Sequence, residues 1–243
     1  MSRNKECFCG SGKKQKKCHS TVLVGSKLSD MYVKYSAYDN KVQQLKLSGK
    51  CPRNCFKCCS DYFSVSENEF LLVLDFLLRK GGQELVDSYK KKADDYYQYM
   101  NRHFPEVIDE LDSHISDMES LEKSLLKFVD SSYFNSKQLH CIFLEKYRCS
   151  IYEARPTICR TYGMCLTCNF INNREIHFRE EEDLASIQLI EGKRIILKRP
   201  YPLFYYFSYF LSKDQYADTM KKLSMIRSRS EKGYAEYTEI EMK

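Results

Sequence analysis

The sequence lacks any apolar run of the roughly 20 residues that a membrane-spanning helix requires. The best candidates, residues 70–78 and 201–211, are short, and Asp75 interrupts the first of them. Residues 1–20 are rich in lysine and contain no apolar core of the kind that secretory signal peptides carry. These absences predict a cytoplasmic protein without a membrane partner, in a compartment where thiols stay reduced and clustered cysteines bind metal rather than form disulfides.

Tryptophan is absent and proline is scarce, with five in 243 residues, but the other aromatic residues are abundant. The 19 tyrosines and 14 phenylalanines are enough to build the core of one main domain. The net charge is only +6, with both signs interspersed, which fits an anionic partner or none. The sequence also lacks a glycine-rich phosphate loop and a nucleophile–base pair, so no catalytic residue is predicted.

Composition divides the chain into three predicted parts. They are a knuckle dense in cysteine, lysine and glycine (residues 1–20), a linker (21–48) and a cysteine-cluster domain (49–243). Ser66 and Glu69 form a capping box before apolar residues at helical spacing, which predicts a helix that ends at Gly81 and Gly82. Further helices are predicted over 83–104, 106–129 and 212–227, and a β-hairpin over 187–197. The predicted fold is mainly α with a small β component, and metal organises its main domain.

The knuckle holds four soft metal ligands within thirteen residues: Cys7, Cys9, Cys18 and His19. A Gly-Ser-Gly turn between them lets the backbone fold tightly enough for the four side chains to converge. Three thiolates and one imidazole with no open position are typical of structural zinc. This stretch resembles the SEC-C motif at the carboxyl end of the bacterial preprotein translocase ATPase, and it matches every ligand of that motif. The resemblance implies that the knuckle docks a protein partner.

Four lysines in the knuckle leave the nature of that partner open. They occupy positions 13, 14, 16 and 17. Basic clusters contact phosphates, so a nucleic-acid partner is the less favoured alternative to a protein. Lysines that only keep a small module soluble would produce the same pattern.

Nine further cysteines predict a second centre, called here the large site. Its members are Cys51, Cys55, Cys58, Cys59, Cys141, Cys149, Cys159, Cys165 and Cys168. Gaps of two or three residues allow successive sulfurs to converge on one ion or cluster. Nine thiols exceed the four ligands of a mononuclear site, so the pattern allows two metal ions or one iron–sulfur cluster with spare thiols. Ligand type alone does not separate zinc from an iron–sulfur cluster.

These cysteines, together with the Arg-Pro-x-x-Cys-Arg run at residues 155–160, resemble the YkgJ family of cysteine-cluster proteins, which are described as zinc- or iron-chelating domains. The resemblance spans residues 51–162. It implies metal ligation by seven cysteines: Cys51, Cys55, Cys58, Cys59, Cys141, Cys149 and Cys159. Cys165 and Cys168 are candidates for the remaining ligands. Three residues rather than two separate Cys51 from Cys55, a gap similar to that of the flagellin lysine-N-methylase branch with the same cysteine pattern.

Three functions are compatible with these motifs. The favoured one is a metal-binding adaptor or chelator, whose large site organises the fold while the knuckle docks a partner. The alternatives are a protein-lysine N-methylase-like iron–sulfur enzyme and a nucleic-acid-associated zinc protein. The spacing of Cys51, Cys55 and Cys58 also matches the radical S-adenosylmethionine motif, but the helical pattern after it does not match the βα repeats of those enzymes.

Two geometric expectations follow from the ligand pattern. Thiolate–metal bonds are only about 2.3 Å long, so we expect the segments 51–59 and 141–168 to lie together in space. Arg155 and Arg160 are candidates to donate hydrogen bonds to thiolate sulfurs, and the alternative is that they are surface arginines; the place of Arg155 in the family signature favours the first. Because a linker is predicted after the knuckle, we also expect the main domain to stay folded when the knuckle loses its zinc.

Overall fold

The computed structural model describes residues 4–46, 56–60, 63–113, 115, 118–126, 140–162, 179–188 and 199–240. These residues are mainly helical and contain one two-stranded antiparallel sheet, so the predicted fold class is confirmed. In the ranges given, no helix combines the length and the apolar character needed to cross a bilayer.

The helices and strands are short apart from two long helices. The helices are α1 (Gln15–Cys18), α2 (Lys27–Gln44), α3 (Glu67–His103), α4 (Pro105–Asp112), α5 (Met118–Leu126), α6 (Thr157–Thr161), α7 (Arg179–Gln188), α8 (Leu203–Tyr205), α9 (Tyr216–Ser228) and α10 (Glu231–Ile240). The strands are β1 (Leu144–Glu145) and β2 (Arg148–Cys149). A π-helical turn, Tyr206–Phe210, directly follows α8, and two 3₁₀ turns cover Lys57–Cys59 and Tyr152–Ala154.

The chain groups into two compact units. Unit 1 contains Met1–Cys51, Arg160–Ile187 and Asp218–Lys243, and unit 2 contains Pro52–Cys159 and Gln188–Ala217. The predicted parts 1–20, 21–48 and 49–243 stay a prediction, but α2 occupies most of the stretch that was predicted to be a linker.

Unit 1 is built around α2. Ser26 caps this helix, because its hydroxyl accepts a hydrogen bond from the Ser29 amide at 3.2 Å. The helix buries six apolar or aromatic side chains: Leu28, Met31, Tyr32, Tyr35, Tyr38 and Val42. The amides of Leu23 and Lys27 donate to the carbonyls of Arg227 and Arg229 at 2.8 and 2.7 Å, which ties the start of α2 to the end of α9.

Unit 2 is built around α3, which begins at the predicted capping box. The Ser66 hydroxyl accepts from the Glu69 amide at 3.3 Å, and the Ser66 amide donates to the Glu69 carboxylate at 2.9 Å. Gly82 has φ +66° and ψ −160°, a conformation that is essentially restricted to glycine, and it kinks the helix. The predicted helix start is therefore confirmed, and the predicted break is a kink between two helical segments.

Aromatic packing attaches the segment around Cys141 to α3. The Phe143 side chain is fully buried, and its ring lies 4.6 Å from that of Tyr89 on α3 and 5.3 Å from that of Phe207. Phe70, near the start of α3, stacks on Tyr206 with ring centroids 4.6 Å apart. Phe143 thus anchors the segment around Cys141 in the core of unit 2.

The hairpin lies elsewhere than the sequence predicted. Ile187, where the first strand was predicted to begin, belongs to α7, so the strand prediction is wrong there, and residues 189–198 lie outside the described ranges. The observed hairpin pairs Leu144 with Cys149. Its turn residues, Lys146 and Tyr147, have φ +46° and +65°. Because neither is glycine or asparagine, the turn gave no sequence signal.

Candidate metal centres

The knuckle backbone is a tight loop that brings its two ends together. The Cys7 amide donates to the Lys13 carbonyl at 2.8 Å, and the Gln15 amide donates to the Lys5 carbonyl at 3.0 Å. Gly10 and Gly12 have φ +73° and +69°, a region that L-residues with side chains rarely adopt, so the loop requires glycine at these positions.

The four predicted knuckle ligands converge. The ligand atoms of Cys7, Cys9, Cys18 and His19 all lie within 4.8 Å of one another. The Cys9 and Cys18 sulfurs are 3.6 Å apart, and the Cys7 sulfur is 3.1 Å from His19 Nδ1. Sulfurs bound to zinc at about 2.3 Å in a tetrahedron lie about 3.8 Å apart, so the observed spacing fits zinc. His19 directs Nδ1 to this group, while its Nε2 is buried without a hydrogen-bond partner in the described part of the chain.

The electrostatics of the knuckle thiols also fit a cation. Burial raises the pKa of Cys7 to about 12, and the neighbouring Cys9 and Cys18 add to the rise. Burial acts to raise the pKa of Cys9, but hydrogen bonds from His19 and Ser11 outweigh it and lower that pKa to about 5. Several thiolates this close repel one another unless a cation neutralises them. The Ser11 hydroxyl lies 3.3 Å from the Cys9 sulfur and 3.4 Å from the Cys18 sulfur, where it can hydrogen-bond to either.

The knuckle packs on α2 within unit 1. The His19 ring lies 4.4 Å from the Tyr32 ring and 5.0 Å from the Phe8 ring, and His19 is 4% exposed. A Cβ atom added to Gly10 would lie 2.9 Å from the Ser36 hydroxyl on α2, so the backbone approaches the helix closely. A predicted zinc ligand is thus part of the packing of α2, so the predicted linker does not separate the knuckle from this helix.

The described cysteines of the large site come from three short segments of unit 2. Cys58 and Cys59 lie in the 3₁₀ turn Lys57–Cys59, and the Cys141 amide donates to the Cys59 carbonyl at 2.7 Å. Cys149 lies in β2, and Cys159 lies in α6. The backbone hydrogen bond places Cys59 beside Cys141, as expected for the described parts of the two segments, although about eighty residues separate these cysteines in the sequence.

Burial and the neighbouring thiols raise the pKa values of three of these cysteines. Burial raises the pKa of Cys141 to about 12, with contributions from the charges of Cys149 and Cys58. A hydrogen bond with Cys58 and burial raise the pKa of Cys59, and burial with the charges of Cys141 and Cys58 raises that of Cys159. A buried group of thiols that oppose one another's ionisation is suited to bind a cation, which releases their protons.

The large site is described only in part. Cys51, Cys55, Cys165 and Cys168 lie outside the described residues. Within the described residues, the knuckle is the one group with three or more ligand atoms close enough together to hold an ion. The ligand roles of the large-site cysteines therefore stay predictions, supported by their proximity and by the raised pKa values.

Both arginines that were candidates to contact thiolates stack on tyrosine rings. The Arg155 guanidinium lies 3.7 Å from the centroid of the Tyr152 ring. The Arg160 guanidinium forms an ion pair with Asp39 and lies 3.9 Å from the Tyr35 centroid, so within unit 1 it attaches the end of α6 to α2. Of the histidines without ligand spacing, His140 bonds to the Ser60 hydroxyl at 3.1 Å, and His114 and His177 lie outside the described residues.

Two contacts near the centres were not predicted from the sequence. Tyr32 packs against a predicted zinc ligand, and only its helical spacing with other tyrosines marked it as buried. Glu69 was predicted as half of a capping box, but its second contact, with the Thr157 amide at 2.8 Å, crosses 88 residues and leaves no local signal.

Comparison with known proteins identifies one family. Residues 50–183, more than half of the chain, match the model of the CxxCxxCC family, described as "Putative zinc- or iron-chelating domain". The match covers all nine cysteines of the large site and ends before the final helices α9 and α10. No curated protein and no solved structure matches the chain.

Proposed function

Since the chain belongs to the CxxCxxCC family, we propose that it is an intracellular metal-binding protein with two centres. The knuckle would hold structural zinc and dock a protein partner. The large site would hold zinc or an iron–sulfur cluster. The observation that carries this proposal is the convergence of Cys7, Cys9, Cys18 and His19 within 4.8 Å. A set of three sulfurs and one nitrogen leaves no position for a substrate, which suits a structural ion.

For the large site, we propose ligands from all nine of its cysteines. The five described ones are half-buried, and the pKa values of Cys59, Cys141 and Cys159 are raised in part by neighbouring thiols of the same group, which supports a shared centre. Zinc would supply a crosslink between chain segments, whereas an iron–sulfur cluster would add redox chemistry. The alternative of a protein-lysine N-methylase-like enzyme stays a prediction, since no described contact favours it.

Anaerobic purification tests the identity of the large-site metal. The proposal predicts more metal per chain than the one ion of the knuckle. Brown protein with iron and acid-labile sulfide would identify a cluster, and colourless protein with only zinc would identify a structural site. Protein that carries one zinc per chain and no other metal would contradict the proposed second centre.

The surface of the knuckle supports its docking role. Lys13, Lys14, Lys16 and Lys17 are all exposed beside the Gly10–Gly12 turn, and Leu23 and Val24 are 54% and 50% exposed nearby in the sequence. Apolar side chains beside a positive cluster suit a protein surface with acidic groups.

Charge reversal tests this docking. The double variant Lys13→Glu with Lys14→Glu should retain zinc, because neither side chain is a ligand. In affinity capture at physiological salt, full-length wild type should retain a protein partner that the double variant does not bind. Capture that disappears after nuclease treatment would point to nucleic acid instead. Equal capture by wild type and the charge-reversed variant would refute docking through these lysines.

A further inference from the structure

One buried carboxylate holds the starts of two helices in unit 2. Glu69 is fully buried. Its Oε2 accepts hydrogen bonds from the amide and the hydroxyl of Ser66, both at 2.9 Å, and these contacts close the capping box of α3. Its Oε1 accepts from the amide of Thr157 at 2.8 Å, at the first residue of α6. Oε2 thus binds the start of α3, and Oε1 binds the start of α6.

Helix α6 depends on contacts of this kind. It has five residues, far fewer than an isolated helix needs to be stable in water. Pro156 precedes it and has no amide hydrogen, so the Thr157 amide is the first donor that the helix presents. The amides of a first helical turn have no partner within the helix, and a carboxylate is a favourable acceptor for them.

Helix α6 also carries Cys159, two residues after Thr157. We propose that Glu69 is a positioning residue for the large site: its hydrogen bond to the Thr157 amide fixes α6 so that the Cys159 sulfur meets the metal. This inference rests on the proposed function of that site. Glu69 acts on Cys159 through the backbone of α6.

Glu69 has the position of an outer partner to Cys159, because it holds the backbone two residues before that cysteine. Outer partners that orient metal ligands typically change metal affinity about 10- to 100-fold when they are removed.

Two substitutions at residue 157 separate this role from simple packing. Thr157→Pro removes the amide donor together with the threonine side chain, and proline is tolerated at the first position of a helix. Thr157→Ala removes the hydroxyl but keeps the amide and is the matched control. Ser66→Ala removes the hydroxyl that caps α3 and leaves the Glu69–Thr157 contact intact, which controls for a loss of helix stability.

The probe is cobalt(II), titrated anaerobically into the metal-free full-length chain, because its thiolate charge-transfer absorption reports bound sulfurs. We expect Thr157→Pro to bind large-site cobalt about 10- to 100-fold more weakly and with a weaker charge-transfer band. We expect Thr157→Ala and Ser66→Ala to stay within about threefold of wild type, since each keeps the contact. Equal affinity and spectrum for the proline and alanine variants would overturn the positioning role.

A second variant at Glu69 tests the positioning role if the first does not fold, and the wild type tests the large site itself. If Thr157→Pro does not fold, Glu69→Ala replaces it, because alanine offers no acceptor to the Thr157 amide, and Ser66→Ala again controls for the lost cap of α3. Wild-type affinity and spectrum in Glu69→Ala would then overturn the inference. Wild type that binds only one cobalt per chain would refute the large site itself and the positioning role with it.

Discussion

Replacing Cys159 with serine is expected to remove metal from the large site and to destabilise unit 2. Cys159 lies in α6, and burial and the charges of Cys141 and Cys58 raise its pKa, so its thiol belongs to the interacting group. Serine is a poor metal ligand, so the variant is expected to lose the metal cation. The remaining thiolates would then repel one another without a cation to neutralise them. Removing one member of a buried charged group costs on the order of 3–5 kcal/mol, or a fall in melting temperature of roughly 6–20 °C. Calorimetry and metal analysis on the full-length chain measure both effects.

The control for this variant is His103→Ala. His103 is exposed at the end of α3, its ring stacks on Tyr99, and it has no ligand spacing to any cysteine. This substitution should leave the metal content unchanged and shift the melting temperature by a few degrees at most. Wild-type metal content and melting temperature in Cys159→Ser would mean that Cys159 is not a ligand, and that the ligand roles carried over from the family fail at its most specific motif.

Replacing Cys18 with serine is expected to remove the knuckle zinc and to loosen α2 as well. The binding free energy of structural zinc is on the order of 10–16 kcal/mol, which is comparable to the whole stability of a small domain. The residues of the knuckle should therefore lose their structure entirely. His19 and Phe8 pack around Tyr32, so the first turns of α2 should lose protection from hydrogen exchange together with the knuckle.

This expectation differs from the one that the sequence supports, in which a linker isolates the knuckle. Lys17→Ala is the matched control, since Lys17 is exposed in the same helix, α1, and is not a ligand. It should keep zinc and wild-type exchange throughout residues 4–46. If Cys18→Ser loses zinc while α2 keeps full protection from hydrogen exchange, the packing of His19 on Tyr32 does not support α2. The knuckle would then be independent of α2, as the sequence predicts.

Local patterns were predictable from the sequence. The capping box at Ser66, the kink at Gly82 and the convergence of the knuckle ligands each depend on residues within a few positions of one another. A short stretch of sequence is enough to show a helix cap, a glycine that permits a break in a helix, and metal ligands at close spacing.

Three features that depend on distant contacts left no signal in the sequence. The turn at Lys146 and Tyr147 adopts positive φ angles without glycine, because the surrounding packing of Phe143 and the pairing of β1 with β2 hold it. The stretch around Leu28 and Tyr35 carries few strong local signals and is predicted as a linker, since three of the six apolar or aromatic side chains that α2 buries are tyrosines, whose burial depends on their tertiary contacts. The contact between Glu69 and Thr157 likewise depends on the tertiary fold.

The central claim is that the chain binds metal at the knuckle and, independently, at the large site. Native mass spectrometry of anaerobically purified wild type, Cys18→Ser, Cys159→Ser and the double variant tests it most directly. Wild type should carry the knuckle ion plus at least one further metal, Cys18→Ser should lack one zinc, Cys159→Ser should keep that zinc and lack the rest, and the double variant should carry none. A wild-type chain with a single metal ion, lost in Cys18→Ser and unaffected in Cys159→Ser, would contradict the claim.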